Sequence, residues 1–202
     1  MAPEPTVYIV DDELIIRSTL EDIFNAAHLP VETYASAEDF LLAYSPDNPG
    51  CLLLDIVMPG LNGLELQKAL SARSNNTPVI FLTSSGDVQI AVEAMKAGAI
   101  DFIEKPVEAK VVLQCVKKAI ELDQRRRYEQ LQHSQVELRV ALLTPRELEV
   151  MNWVIRGKSN KMIARILDIS SRTVEVHRKN VFDKMQARSV ADLVQMVLKA
   201  QQ

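Results

Sequence analysis

Three aspartates, a threonine and a lysine each follow a short apolar run in the first half of the chain. Asp11 and Asp12 come after the first run, Asp55 after a later one, and Thr83 and Lys105 after the two that follow. Carboxylate oxygens suit Mg²⁺, while a lysine and a hydroxyl can hold phosphoryl oxygens. One of the carboxylates could then act as a nucleophile and form an acyl phosphate.

The elements that must position these residues alternate along the chain. Short, β-rich apolar runs bounded by turn formers predict strands, and amphipathic stretches between them predict helices. The predicted strands are Thr6–Val10, Val31–Tyr34, Cys51–Leu54, Pro78–Leu82 and Asp101–Ile103. The predicted helices are Glu13–Ala27, Ala37–Ala43, Gly63–Leu70, Val88–Ala97 and Glu108–Leu122. This pattern predicts an α/β doubly wound, five-stranded parallel sheet, with the polar residues together at its carboxyl edge.

Four motifs in residues 1–122 resemble the receiver domain of response regulators. They are Val10–Glu13, Leu54–Gly60, Thr83-Ser84 and Phe102–Pro106. The resemblance implies a flavodoxin-like sheet of strand order 2-1-3-4-5. It also implies a phosphoprotein that receives its phosphoryl group from a sensor histidine kinase.

The receiver resemblance assigns a role to each residue at the carboxyl edge. It implies that Asp55 is phosphorylated and that Mg²⁺ or Mn²⁺ is bound by Asp12 directly, by Asp11 mainly through water, by Asp55 and by the carbonyl of Val57.

The resemblance also implies a conformational switch. Lys105 and Thr83 would contact the phosphoryl oxygens, and Phe102 would be the aromatic that turns inward with Thr83. The face formed by residues 88–103 would then change shape and allow receivers to dimerise. The Lys105–Pro106 peptide bond is expected to be cis, as in the family.

An enzymatic alternative is a phosphatase of the aspartyl-phosphate type. Such enzymes need a second aspartate two residues after the nucleophile as a general acid and base. Val57 stands at that position here. We therefore expect no enzyme, beyond self-phosphorylation from a phosphodonor and slow autodephosphorylation.

The net charge is distributed unevenly along the chain. Residues 1–107 carry −11, residues 108–143 carry +2 and residues 144–202 carry +5. This asymmetry indicates two domains with different partners, and the basic end suits a polyanion such as nucleic acid. We expect a receiver over 1–122, a helical linker over 123–142 and a DNA-binding domain over 143–202.

The linker contains no glycine or proline, which favours a continuous helix. Part of it has apolar residues at the 3-4-3-4 spacing of a coiled coil, with one polar break. These positions are Tyr128, Leu131, Gln135, Leu138 and Leu142. Two heptads are fewer than the roughly three to four that identify a coiled coil, so a solvated single helix stays an equal alternative.

The last part of the chain has the pattern of four short helices. Thr144–Glu147 is a capping box with proline at the first helical position. The helix Asn160–Leu167, a turn and the helix Ser171–Met185 have the proportions of a helix-turn-helix. A final helix is predicted over Ser189–Lys199.

The second helix of this motif is predicted to face DNA. Its outer stripe and helix N-terminus carry residue types that contact base edges or phosphates. With one lysine from the preceding helix, the predicted DNA-binding residues are Lys161, Arg172, Thr173, Glu175, Val176, Arg178 and Lys179. Val174, Val181 and Met185 are predicted to form the buried stripe.

Residues 143–198 resemble the LuxR-type DNA-binding domain. The matching stretches are Leu143–Glu147, Gly157–Ala164 and Arg172–Arg178. Together with the receiver motifs, they make the chain similar to the FixJ-like branch of response regulators. The resemblance implies a transcriptional regulator that binds promoter DNA as a homodimer and leaves contact with RNA polymerase open. The dimer residues would be Val190, Leu193, Val194 and Val197.

Two other classes stay open. One is a phosphorylation-dependent adaptor that never touches DNA, and the other is an RNA-binding antiterminator, which the outer face of the second helix argues against. Cys51 and Cys115 are expected to be reduced thiols in the cytoplasm, since each lies in an apolar run. No membrane span or signal peptide is predicted.

Overall fold

The computed structural model describes residues 3–72, 77–84 and 88–199, with only the backbone described at 88–90. The chain forms two compact units, divided between Arg127 and Tyr128. Within the described residues, no helix is long and apolar enough to cross a membrane.

The first unit contains a five-stranded parallel sheet in the order β2-β1-β3-β4-β5, which confirms the predicted fold. The strands are β1 (Thr6–Val10), β2 (Val31–Tyr34), β3 (Gly50–Asp55), β4 (Val79–Thr83) and β5 (Asp101–Glu104). Alternate residues of β1 enter different clusters: Tyr8 and Val10 pack on one face of the sheet, and Val7 and Ile9 on the other. Because both faces are covered, the central strands are mostly apolar, with Asp55 and Thr83 as the polar residues at the ends of β3 and β4.

The strands extend further toward the functional edge than the sequence predicts. Asp55 pairs with Leu82 and Thr83 pairs with Glu104, so both polar residues belong to the ladder. β4 begins at Val79 rather than at Pro78, as expected for a residue that has no N–H to donate. The Lys105–Pro106 peptide bond is cis, as predicted.

The helices of the first unit follow the predicted pattern, with shifts at their ends. They are α1 (Leu14–Ala26), α2 (Ala37–Ala43), α3 (Gly63–Ala72), α4 (Val88–Lys96) and the first part of α5 (Ala109–Ala141). α5 has 33 residues, so the predicted receiver helix and the helical linker are a single element.

A buried carboxylate anchors α5 to the loop before β3. Oδ2 of Asp123 accepts hydrogen bonds from the Gly50 N–H at 2.9 Å and from Nε of Arg127 at 2.7 Å. The Arg127 guanidinium also donates to three carbonyls of that loop, those of residues 46, 47 and 48. Gly50 is required there, because a Cβ would lie 1.9 Å from the Thr6 carbonyl oxygen.

The second unit contains the end of α5 followed by α6 (Pro145–Ile155), α7 (Asn160–Leu167), α8 (Ser171–Met185) and α9 (Val190–Lys199). Thr144 and Glu147 form the predicted capping box, and Ser159 and Ser170 cap α7 and α8. Asp168 adopts the left-handed conformation that ends α7 and begins the turn. The predicted helix-turn-helix is therefore present.

Candidate functional site

Four charged residues converge at the carboxyl edge of the sheet. Asp11 follows β1, Asp55 ends β3, and Lys105 follows β5. Nζ of Lys105 lies 2.8 Å from Oδ2 of Asp11, 2.9 Å from Oδ2 of Asp55 and 3.2 Å from Oε1 of Glu13. The side chains of Asp11, Asp55 and Lys105 are almost fully buried, so the lysine neutralises two carboxylates that water does not solvate.

The pKa values of Asp11 and Lys105 depend on the balance between burial and the contacts between the charged groups. Burial raises the pKa of Asp11 above its ordinary value, although Lys105 and the Glu13 N–H oppose that shift. Burial alone would lower the pKa of Lys105, but its close contacts with the carboxylates of Asp11 and Asp55 outweigh burial and raise that pKa. The lysine is therefore firmly cationic at neutral pH.

The carboxylates fit a divalent cation. One oxygen from each of Asp11, Asp12 and Asp55 lies within 4.8 Å of the others. Oδ2 of Asp11 is buried and is balanced by the Lys105 ion pair rather than by a well-aligned hydrogen bond. Hard oxygen donors at this spacing, one of them exposed, can hold a divalent metal ion that keeps part of its water.

The remaining predicted residues lie around this pocket with different exposures. Thr83 is buried at the end of β4, and its carbonyl accepts the Lys105 N–H at 2.7 Å. The Val57 side chain is exposed, and its N–H lies 3.4 Å from Oδ1 of Asp55. Phe102 is 45% exposed, so the predicted switch aromatic points away from the core.

The segment after Asp55 is held by close backbone packing. Gly63 begins α3 and donates its N–H to the Ile56 carbonyl at 3.0 Å. A Cβ at Gly63 would lie 2.2 Å from the Asp55 carbonyl oxygen. Glycine at this position therefore lets α3 approach the backbone of the acidic pocket.

Two contacts of the pocket were missed by sequence reasoning. Glu13 provides the third carboxylate against Lys105, and Nη1 of Arg17 donates to the Asp11 carbonyl at 2.7 Å. The position of Glu13 directly after the two aspartates was the available signal. Nothing in the spacing of Arg17 identified a backbone carbonyl as its acceptor.

The second unit exposes one face of α8. Arg172, Glu175 and Lys179 are exposed, and Val176 is 54% exposed, whereas the predicted buried stripe is confirmed in full. Lys161 is exposed on α7. A helix with polar residues and one isolated apolar residue on its open face has the character of a major-groove reader.

Two of the predicted DNA-contacting residues already have partners within the domain. Arg178 donates to Oδ1 of Asn160 at 2.8 Å and lies over the ring of Phe182. Thr173 donates its N–H to the Ser170 hydroxyl as part of the helix cap. Arg178 therefore helps to join α7 to α8, whatever else it contacts.

The predicted dimer residues of α9 do not share one surface. Leu193 and Val197 are buried in the core of the second unit, so these two predicted dimer residues have almost no surface that could contact a second copy. Helix α9 needs an apolar side to close its own domain, and these two residues provide it. Val190 is partly exposed, and Val194 is half-buried.

Two family models match the chain. Residues 7–117 match the response regulator receiver domain, and residues 141–197 match the luxR family of bacterial regulatory proteins. The Transcriptional regulatory protein FixJ of Bradyrhizobium diazoefficiens is 40% identical over 200 residues, which cover 99% of this chain and 98% of that protein.

Solved structures of similar proteins cover nearly the whole chain. The response regulator StyR is 42% identical, with a TM-score of 0.89 over 97% of this chain and 99% of its own. Full-length FixJ from B. japonicum is 39% identical, with a TM-score of 0.60 over 98% of each chain.

Proposed function

The chain belongs to the FixJ-like response regulators, which are two-component transcriptional regulators, and we propose that Asp55 is its phosphoacceptor. The observation that carries this proposal is the pairing of the buried Asp55 carboxylate with Lys105, beside Asp11 and Asp12. This arrangement offers a nucleophilic oxygen, a cation for the incoming phosphoryl oxygens and ligands for a metal.

The proposed reaction transfers a phosphoryl group from a phosphohistidine of the sensor kinase. An oxygen of Asp55 forms the new P–O bond as the P–N bond breaks, and the imidazole nitrogen takes up a proton. Lys105 and Thr83 hold the phosphoryl oxygens by charge and hydrogen bonding. Water later hydrolyses the acyl phosphate slowly, and no substrate is turned over otherwise.

The proposed cofactor is Mg²⁺, with Mn²⁺ as a substitute. Asp11, Asp12, Asp55 and the carbonyl of Val57 would hold it, and the bound ion would supply positive charge opposite the phosphoryl oxygens. The exposed carboxylate of Asp12 supports this assignment, because it leaves the site accessible from solvent.

Phosphorylation is proposed to control DNA binding through a switch at Thr83 and Phe102. Thr83 moves toward the phosphoryl group, and the Phe102 side chain turns from the surface into the space that Thr83 leaves. The change biases receivers toward dimers, so two DNA-binding units engage promoter half-sites together. The proposed setting is the cytoplasm, where promoter DNA is available.

The proposed DNA contacts divide into two classes. Glu175 and Val176 read base edges, since glutamate accepts from cytosine N4 and valine contacts the thymine methyl group. Lys161, Thr173 and Arg178 are proposed to contact phosphates. Arg172 and Lys179 are proposed to contact either a phosphate or a base edge. Val190, which is partly exposed, and Val194, which is half-buried, remain the proposed α9 dimer contact.

The test of this proposal uses a small-molecule phosphodonor with Mg²⁺. Wild type, Asp55→Ala and Asp22→Ala, which removes an exposed aspartate on α1, are treated in parallel. Intact mass measures phosphoryl uptake, and light scattering measures oligomeric state. We expect one phosphoryl group and dimerisation in wild type and Asp22→Ala, and neither in Asp55→Ala. Uptake by Asp55→Ala would contradict the assignment.

A further inference from the structure

The second half of α5 carries apolar side chains on two opposite sides. Val136 is buried, and Val140 packs with it against the core of the second unit. On the other side, four large apolar side chains are between 62% and 70% exposed. Tyr128, Leu131 and Leu138 lie on α5, and Leu142 follows directly after its last residue, Ala141. A helix packed on one side only would be expected to carry polar residues on the side that faces water.

The exposed side chains follow the spacing of a coiled-coil seam. With Tyr128 at a heptad a position, Leu131 and Leu138 occupy d positions, and Leu142, one residue past the end of the helix, continues the spacing to the next a position. Val136 and Val140 fall at b and f, on the opposite side of the helix. The same helix can therefore hold its own DNA-binding domain on one side and a second helix on the other.

The polar residue within the seam restricts what can cover it. Gln135 occupies the central a position and is exposed. A buried amide at an a position needs a matching donor and acceptor at the same height. A second copy of this helix, parallel and in register, supplies an identical glutamine across the two-fold axis.

The charges around the seam permit such pairing and define where it begins. The flanking e and g positions between Tyr128 and Leu142 hold Gln132, Ser134, Arg139 and Ala141, so no like charges face each other in a parallel pair. Arg139 donates to the Met185 carbonyl at 3.3 Å within its own domain.

Upstream of Tyr128, the apolar pattern ends. The preceding d and a positions are Gln124 and Glu121. In a parallel pair, the two Glu121 carboxylates would face each other and repel. The seam is therefore limited to residues 128–142.

We propose that residues 128–142 form a parallel homodimeric coiled-coil seam between two copies of this chain. Two heptads are too short to hold a dimer alone, so the seam closes when another contact brings two copies together. This inference rests on the proposed function, in which phosphorylated receivers provide that contact. A parallel seam places both DNA-binding domains at the same end of the pair, which suits adjacent half-sites.

Disulfide trapping in the full-length chain tests the seam directly. Leu131→Cys places a thiol at a d position, and Gln130→Cys places one on the adjacent exposed c position as the matched control. Both variants and wild type, which reports on Cys51 and Cys115, are oxidised with and without phosphodonor treatment. We expect Leu131→Cys to form covalent dimers several-fold faster than Gln130→Cys in the phosphorylated sample.

The outcomes separate this inference from the proposed function. Phosphoryl uptake and dimers by light scattering, with equal trapping of the two variants, would overturn the seam and leave the proposed function intact. Without phosphoryl uptake, the proposed function fails. The same comparison at high protein concentration then decides the seam, since preferential trapping of Leu131→Cys supports it and equal trapping overturns it.

A gain-of-association variant provides a second test. Gln135→Leu completes the apolar seam, and Gln130→Leu adds the same apolar surface off the seam. We expect tighter dimers by light scattering for Gln135→Leu alone. An equal change in both variants would indicate nonspecific association and would contradict the seam.

Discussion

Nζ of Lys105 lies 2.9 Å from Oδ2 of Asp55, so the proposed nucleophile is neutralised by the same cation that is proposed to receive the phosphoryl oxygens. The same ammonium lies 2.8 Å from Asp11, and all three groups are nearly inaccessible to water. Lys105 therefore also has a structural role, because its positive charge offsets the repulsion between the two buried carboxylates.

Replacing Lys105 with methionine should destabilise the first unit and increase its response to Mg²⁺. The substitution leaves two buried carboxylates without a cation, and breaking a buried ion pair costs up to about 3–5 kcal/mol. A metal ion can replace part of the missing charge, so Mg²⁺ should raise the Tm of Lys105→Met more than that of wild type. Thermal unfolding with and without Mg²⁺ measures both effects.

Lys68→Met is the matched control for that substitution. Lys68 pairs with Glu93 at 3.1 Å, but both side chains are more than half exposed. Exposed pairs contribute about 1 kcal/mol or less, so this variant should unfold like wild type. Equal Tm losses in the two variants would show that the pocket does not depend on Lys105.

Glu147 should make the stability of the second unit depend on acid pH. Its carboxylate accepts from Nζ of Lys184 at 2.6 Å and from the Thr144 N–H at 2.9 Å, and these hydrogen bonds lower its pKa to about 2, from an ordinary value of 4.5. Because the folded pKa is the lower one, this stabilisation is full above pH 4.5 and is lost as the pH falls through 2.

The Glu147→Gln variant should be less stable at neutral pH and should lose that pH dependence. Glutamine can still complete the capping box, so the loss comes from the charged hydrogen bond to Lys184, which contributes about 1.5–3 kcal/mol. Trp153 is the only tryptophan and lies in the second unit, so its fluorescence in denaturant follows the unfolding of that unit. Glu149→Gln, which removes an exposed partner of Arg146 on the same helix, should retain the wild-type pH profile. A pH profile unchanged by Glu147→Gln would refute the assignment.

Sequence patterns predicted the sheet and the acidic edge because both depend on local rules. Apolar runs identify buried strands wherever both faces are covered, and parallel strands bring their carboxyl ends to one edge. Asp11, Asp55 and Lys105 could therefore be placed together without coordinates. The caps at Thr144 and Ser170 were predictable for the same reason, since each depends on residues three positions apart.

Features that join distant parts of the chain were not predictable in this way. Asp123 and Gly50 are 73 positions apart, and no periodicity relates them. The dimer residues of α9 follow from the family resemblance, and neither that resemblance nor the apolar spacing tells which side of the helix closes the domain core. Leu193 and Val197 pack into that core. Which side of α9 is buried depends on how α6 and α8 are arranged in three dimensions.

The Arg127 contacts should protect the loop before β3 from hydrogen exchange. Arg127→Met removes the donor to Asp123 and to three loop carbonyls. Loss of the hydrogen bond to the buried Asp123 costs on the order of 1–3 kcal/mol, and loss of those to the exposed loop carbonyls costs less. Exchange measured by mass spectrometry should rise at Gly50, whose N–H depends on the same carboxylate, while exchange within β4 should not change.

Lys117→Met removes an exposed cation from the same helix and serves as the control for Arg127→Met. It should leave exchange of the loop before β3 as in wild type. Equal protection of Gly50 in wild type and Arg127→Met would show that Asp123 holds the loop alone.

The proposed roles of Glu175 and Lys179 on α8 predict different effects on DNA binding. Glu175→Ala should remove a base contact, which costs about 1–3 kcal/mol at one base pair and relaxes the preference there. Lys179→Met, if its contact is to a phosphate, should weaken binding to all sequences alike and reduce the slope of log affinity against log salt by about one. Binding to a selected operator and its single-base variants, over a salt series, separates the two.

Lys118→Met removes the same charge from an exposed position on α5 in the first unit, and controls for net charge. It should change neither preference nor salt slope. A base-specific loss in Lys179→Met would reassign that lysine to a base edge, which its position one helical turn from Glu175 allows. Unchanged binding in both α8 variants would contradict the proposal that this face reads DNA. The exposed apolar side chain of Val176 would then need another partner.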